Sequence, residues 1–131
     1  MNFKNYKLLI AILIVAGASA CKKKDGSLME ADKLKLESLM TEIKVLSEVK
    51  CEIADDWKFR PIGSKACGGP TGYIAYSSKI DTIVFIQKVN KYTADQKIFN
   101  KKWGITSDCS LPAKPEKVIC ENDIAKLVYK D

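Results

Sequence analysis

Residues 80–103, IDTIVFIQKVNKYTADQKIFNKKW, carry the strongest periodic pattern of this chain and indicate a long amphipathic helix. Apolar side chains recur there at steps of three and four, which places them on one helical face. Ser78 or Asp81 suits the N-terminal cap, and Gly104 suits the left-handed position after the last turn. We expect this face to pack into a core through its largest members, Phe85, Val89, Tyr92, Phe99 and Trp103.

A second amphipathic helix is predicted upstream, over residues 31–50. Its apolar stripe follows the same spacing, and neither proline nor glycine interrupts it. Because the stripe is shorter than three heptads, it predicts core packing rather than a coiled coil. The members of the stripe are Leu36, Leu39, Met40, Ile43, Leu46 and Val49.

Short strands are predicted on either side of the long helix. Residues 57–62 and 73–76 read as extended segments around a loop that is rich in glycine and proline. Residues 117–120 and 124–129 predict a hairpin, because Asn122 and Asp123 between them tolerate positive φ. The predicted fold class is α+β: two helices packed with a small antiparallel β element, stapled by two disulfides.

The start of the chain has the pattern of a secretory signal. Lys4 and Lys7 precede the apolar run 8–15, and small residues lead to Cys21. This arrangement resembles the lipobox of bacterial lipoprotein precursors, in which the signal is cut before a lipidated cysteine. The resemblance implies a signal peptide over residues 1–20, acyl chains on Cys21 and an envelope location, with the outer membrane favoured because Lys22 is not an aspartate.

Behind the signal, residues 21–29 are expected to form a lipidated tether, and residues 30–131 a single domain. The net charge of +6 is concentrated at the start, since residues 30–131 hold seventeen basic and fifteen acidic side chains. A nucleic-acid partner is therefore not expected, because such binding needs a basic face on the folded part.

The chain contains no histidine, which removes the usual general base and a common metal ligand. We predict no catalytic residues, no metal and no cofactor.

Four cysteines remain when Cys21 is assigned to lipid, and an even number in an exported chain favours disulfides. None of their spacings is the C-x₂₋₄-C of a zinc site. Of the three possible pairings we prefer Cys51–Cys67 with Cys109–Cys120, which closes two short loops. A loop of about 15 residues suggests roughly 3 kcal/mol of stabilisation on the chain-entropy model.

One group of side chains has the composition of a binding hot spot, which is rich in aromatic residues and arginine. The candidate binding loop joins this group to a rigid turn and comprises Trp57, Arg60, Gly68, Gly69, Pro70 and Tyr73. Glu52, Asp55 and Asp56 are the alternative carboxylates for a small hydrolase, although neighbours on an extended strand point to opposite faces.

The cysteine frame gives a second resemblance, over residues 51–128. The segments Cys67-Gly68-Gly69-Pro70 and Ser107-Asp108-Cys109 resemble a group of small exported bacterial proteins. This resemblance implies a stapled envelope domain and supplies no activity. We therefore expect a lipid-anchored, non-enzymatic binding module for an envelope protein or glycan, with inhibition of an envelope hydrolase as one form. A structural subunit of an outer-membrane assembly is the alternative.

Overall fold

The computed structural model describes residues 20–130, with side chains from Asp25 onward. Within this part, two helices and two antiparallel hairpins confirm the predicted α+β class. The elements are α1 (Ala20–Ser47), a 3-10 turn (Ala54–Asp56), β1 (Trp57–Ile62), β2 (Gly72–Ser77), α2 (Thr82–Trp103), β3 (Lys117–Glu121) and β4 (Ile124–Val128).

The chain divides within α1 into two units, residues 1–33 and 34–131, and the packing described below belongs to the second. The predicted signal peptide lies outside the described residues apart from the backbone of Ala20, as does the side chain of Cys21. Neither of the helices in the described part combines the length and apolar composition that crossing a bilayer requires.

Helix α1 begins at Ala20 and ends at Ser47, so the predicted bounds of 31 and 50 were wrong. The predicted tether of residues 21–29 is helical. Gly26 costs this segment only about 1 kcal/mol relative to alanine, and no proline stops the helix. The predicted apolar stripe is confirmed at its centre, where Leu39 and Ile43 are buried, whereas Val49 lies beyond the helix and is exposed.

Helix α2 follows its prediction closely. Asp81 is the N-cap, and its carboxylate accepts a 3.0 Å hydrogen bond from the Val84 N–H. Gly104 ends the helix in the left-handed conformation at φ 60°. Phe85 and Val89 are fully buried, and Tyr76 of β2 stacks on the Phe85 ring with centroids 4.9 Å apart.

The β1–β2 hairpin lies between two apolar clusters. One face packs against the helices through Ile62, Ile74 and Tyr76. The other face packs against β3 and β4, since Trp57 shares a buried cluster with Val118. The antiparallel register pairs Trp57 with Ser77 and Ile62 with Gly72, so side chains alternate between the two clusters along each strand.

The β3–β4 hairpin forms as the sequence predicts. Asn122 and Asp123 make its two-residue turn with φ of 52° and 62°. Two consecutive residues at positive φ are typical of the type I′ turn, whose twist matches that of the strands.

The predicted disulfide pairing was wrong. Cys51 is bonded to Cys120 of β3, across 69 residues of sequence, and neither Cys51–Cys67 nor Cys109–Cys120 forms. The prediction favoured short loops, but loop-closure entropy grows only with the logarithm of length, by about 0.6 kcal/mol per doubling. Strand packing decides instead: the Cys51 N–H donates to the Asp123 carbonyl at 2.8 Å, which holds Cys51 against the second hairpin.

Candidate functional site

An open groove of about 950 Å³ runs along β2, between the C-terminal part of α1 and β4. We call it the β2 groove. Tyr73, Ile74 and Ala75 are consecutive residues from both faces of the hairpin, yet all three line it. A cavity lined from both faces must follow the edge of the hairpin, because neighbouring side chains on a strand point in opposite directions.

The backbone of β2 is unpaired on this edge. The Ser78 N–H donates to the Asp56 carbonyl at 2.7 Å, which fixes the alternation of the ladder. Tyr73 and Ala75 then turn their N–H and C=O groups away from β1. Tyr73 is paired with Pro61, which has no N–H to offer, and Ala75 is paired with Phe59. Within residues 20–130, these outward groups of Tyr73 and Ala75 have no hydrogen-bond partner.

The walls of the β2 groove are mainly apolar. Trp57 and Leu127 contribute side chains packed in the second cluster, and Met40 contributes one from α1. At the rim, Ile124 is 61 % exposed and Val49 is 40 % exposed. An apolar floor with exposed apolar side chains at its rim is the usual composition of a recognition surface.

Charged side chains at one end of the groove neutralise one another. Lys50 lies 3.3 Å from Glu52 and 3.8 Å from Asp123, in exposed ion pairs. Such pairs contribute little to stability in water. The groove therefore carries no strong charge of one sign at this end, which favours an apolar or mixed ligand over a polyanion.

The predicted binding residues do not form one site. Trp57 and Tyr73 both line the β2 groove, and the Tyr73 ring meets Phe59 edge-on at 6.1 Å. Arg60 lies on the helix side of the hairpin, where one terminal nitrogen donates to the Asn90 side chain at 2.8 Å. Its Nε is buried without a partner among the described residues.

Gly68, Gly69 and Pro70 form a turn away from the groove, in the glycine-rich loop 63–71. Helix α2 anchors the base of this loop through three residues on one face. Thr93 accepts from the Gly63 N–H at 3.0 Å, Gln96 accepts from the Ser64 N–H at 2.7 Å, and Asn100 donates to the Ser64 carbonyl at 2.8 Å.

The same loop meets the connection 104–116. The Lys65 ammonium donates to the Asp108 carboxylate at 2.7 Å and to the Ser110 carbonyl at 2.5 Å, and its side chain is only 16 % exposed. The contact with Lys65 lowers the pKa of Asp108. Gly69 has φ of 82°, and a side chain there would collide with Leu111.

Cys67 and Cys109 meet where these two segments touch. Both thiols are free and exposed. The Cys67 sulfur lies 3.5 Å from the Ser107 hydroxyl and 3.6 Å from the Asp108 carbonyl. Hydrogen bonds from Cys109 and Ser107, with the nearby Lys65 ammonium, lower the pKa of Cys67, whereas the interaction with Cys67 raises the pKa of Cys109.

The candidate hydrolase carboxylates do not converge. Asp56 lies 2.7 Å from the Lys79 ammonium and raises the pKa of that lysine, while Glu52 pairs with Lys50. Asp55 is exposed between them. Among the residues that the structure describes, no three His, Cys, Asp or Glu side chains are grouped closely enough to hold a metal ion.

Comparison of the chain with protein-family models, with curated proteins and with solved structures finds no match. Trp57 and Tyr73 of the groove were predicted from the sequence as binding residues, whereas its exposed rim was not. Ile124 and Val49 carry no motif, and their exposure follows only from the way the helix and the second hairpin pack.

Proposed function

We propose that this protein is a lipid-anchored cell-envelope protein that binds an extended peptide segment of another envelope protein in the β2 groove, a site that does not itself catalyse a reaction. The observation that carries the proposal is the open edge of β2, which faces an apolar groove. An extended peptide binds such an edge by adding a strand: backbone hydrogen bonds supply affinity and side-chain pockets supply specificity.

The backbone groups and rim side chains of the groove determine which peptides fit it. Tyr73 and Ala75 offer four outward backbone groups between them, enough to pair with a short antiparallel or parallel segment. The exposed rim residues Ile124 and Val49 favour a peptide with apolar side chains. The lipid on Cys21, as implied by the lipobox resemblance, would hold the groove near the membrane surface, where envelope proteins are its available partners.

Site-specific photo-crosslinking in cells tests the groove. A photoreactive amino acid replaces Ile124 in the full chain, and in a control replaces Ile98 of α2, which is 63 % exposed and lies outside the groove. We expect a discrete crosslinked envelope protein at position 124 and none at position 98. The same products from both positions, or none from position 124, would contradict the proposal.

A backbone substitution tests the strand-addition mode. Ala75→Pro removes an outward N–H without removing a hydrogen bond to β1, as Pro61 already does on the opposite strand. We expect the crosslink to be lost while the thermal unfolding midpoint falls only slightly. Val49→Glu, on the same rim as the photoreactive position 124, is the second variant and should have the same effect by placing a charge on the apolar rim.

The anchor has its own test. Cys21→Ser should move the protein from the membrane fraction to the soluble fraction, or leave the precursor uncut, because one serine cannot receive the thioether-linked lipid. Membrane partitioning and precursor processing are both read on a gel. Unchanged partitioning of a fully processed protein would rule out the lipid anchor and leave the groove proposal standing.

We propose a second form of binding, in which the glycine-rich loop inhibits an envelope hydrolase. The contacts that anchor this loop favour it. The loop is exposed at Gly68 and Gly69 yet anchored by Lys65 and by α2, so little conformational entropy is lost on binding. Gly68→Asp should then abolish inhibition while the crosslink at position 124 persists.

A further inference from the structure

Two free thiols of the described residues, Cys67 and Cys109, lie side by side on the surface, far apart in sequence but joined by the contact of two loops. The Cys67 sulfur lies 3.5 Å from the Ser107 hydroxyl and 3.6 Å from the Asp108 carbonyl, on the two residues that precede Cys109. The pair has no part in the β2 groove.

Contacts of the neighbouring residues hold the segments of Cys67 and Cys109 against each other. Lys65, two residues before Cys67, binds both Asp108 and Ser110, which flank Cys109. Turn hydrogen bonds from Lys65 N–H to the Gly69 carbonyl and from Gly68 N–H to the Lys65 carbonyl fix the loop around Cys67. A close pair of thiols on two braced segments needs little rearrangement to form a bond.

We propose that Cys67 and Cys109 form a thiol–disulfide exchange site whose substrate class is exposed disulfides, with Cys67 as the attacking thiol and Cys109 as the resolving thiol.

The reaction has two steps. The Cys67 thiolate attacks one sulfur of a disulfide RSSR, so that a Cys67–SR bond forms, the S–S bond of the substrate breaks and RS⁻ leaves. The Cys109 thiol loses its proton to solvent and attacks Cys67, which forms the Cys67–Cys109 bond and expels the second RS⁻. Two electrons pass from the protein thiols to the substrate, which leaves as two thiols.

The environment of each thiol matches its role. The lowered pKa of Cys67 gives it a larger thiolate fraction near neutral pH, and the thiolate is the nucleophile. The groups that face it are Lys65, which favours the thiolate, and Cys109, Ser107 and Asp108. Cys109 has a raised pKa and stays protonated until the first step removes its interaction with the Cys67 thiolate.

The existing disulfide is expected to stand outside this exchange. Cys51 is 2 % exposed and Cys120 is partly buried against the same cluster, so the fold shields this bridge from an external thiolate. Exposure therefore separates one protected bridge from one exchangeable pair. Closure of the second bond would tie the glycine-rich loop to the connection 104–116, so the redox state would set how freely this loop moves.

The test uses the full chain in detergent, reduced at the exposed pair and then mixed with oxidised glutathione. We expect two glutathione thiols to be released per protein and one new bridge between Cys67 and Cys109, read by mass spectrometry of alkylated peptides. Cys109→Ser should stop the reaction at one glutathione on Cys67. Cys67→Ser should release glutathione at about one tenth of the wild-type rate or more slowly, because it lacks the attacking thiolate.

The design separates failure of folding from failure of the proposal. Both thiols are exposed, so both serine variants should keep the circular dichroism spectrum of the wild type and their Cys51–Cys120 bridge. Stable glutathione adducts on both cysteines of the wild type, equal rates in the two variants, or exchange through Cys51 would each overturn the proposal.

Discussion

Contacts between distant parts of the chain change the chemistry of single residues in this protein. Lys65 is the clearest case: one ammonium group joins the glycine-rich loop to two residues of the connection 104–116. Its charge also favours the thiolate of Cys67. The chemistry of Cys67 therefore depends on tertiary structure that a motif search around Cys67 does not contain.

The pKa shift of Cys67 predicts its reactivity with pH. Because that pKa is lowered, its thiolate forms at lower pH than that of an ordinary cysteine, and alkylation should become fast at correspondingly lower pH. The rate of iodoacetamide labelling, resolved by peptide mass spectrometry, measures this midpoint. Cys109 in the same sample serves as internal control and should titrate higher.

Lys65→Met should raise the labelling midpoint of Cys67, since it removes a positive charge and the bridge to Asp108. Lys65→Arg should restore much of the shift. A Cys67 midpoint equal to that of Cys109 in the wild type would show that the loop contact does not form in solution.

At the scale of elements, local sequence rules predicted most of the structure. The cap, the apolar face and the terminating glycine of α2 are all local, and so is the Asn122–Asp123 turn. The start of α1 was less predictable, because residues 22–29 lack an apolar stripe and their helix rests on backbone propensity and continuity with the helix that follows.

The N-cap of α2 gives a prediction at this scale. Asp81→Ala removes the acceptor for the Val84 N–H and should destabilise the domain by about 1 kcal/mol. Urea unfolding at neutral pH measures the change. Asp81→Asn is the matched control and should retain most of the stability, because asparagine caps equally well. Equal losses in both variants would contradict the capping role.

At the scale of the whole molecule, the disulfide prediction was wrong because it preferred cysteines that are close in sequence. Nothing near Cys51 or Cys120 indicates that the segment following α1 would meet β3. That meeting follows from the stacking of two hairpins, in which β1 lies on β3 and β2 lies on β4. The β2 groove has the same origin, because its rim belongs to segments that are about 75 residues apart in sequence.

Removal of the Cys51–Cys120 bridge should have a large effect. The bridge closes a loop of 69 residues, for which the chain-entropy model gives about 4 kcal/mol. The Cys51→Ala, Cys120→Ala double variant should lose stability of that order in chemical unfolding. Peptide mapping of the wild type checks the pairing itself, and a Cys51–Cys67 linked peptide would refute it.

Amide hydrogen exchange most directly tests the central claim, that the open edge of β2 receives a peptide strand. In the free protein the Tyr73 and Ala75 amides should exchange fast and those of Ile74 and Tyr76 slowly, because only the latter are bonded to β1. In the complex with the partner crosslinked at position 124, Tyr73 and Ala75 should become protected. Unchanged fast exchange of both amides in that complex would contradict the claim.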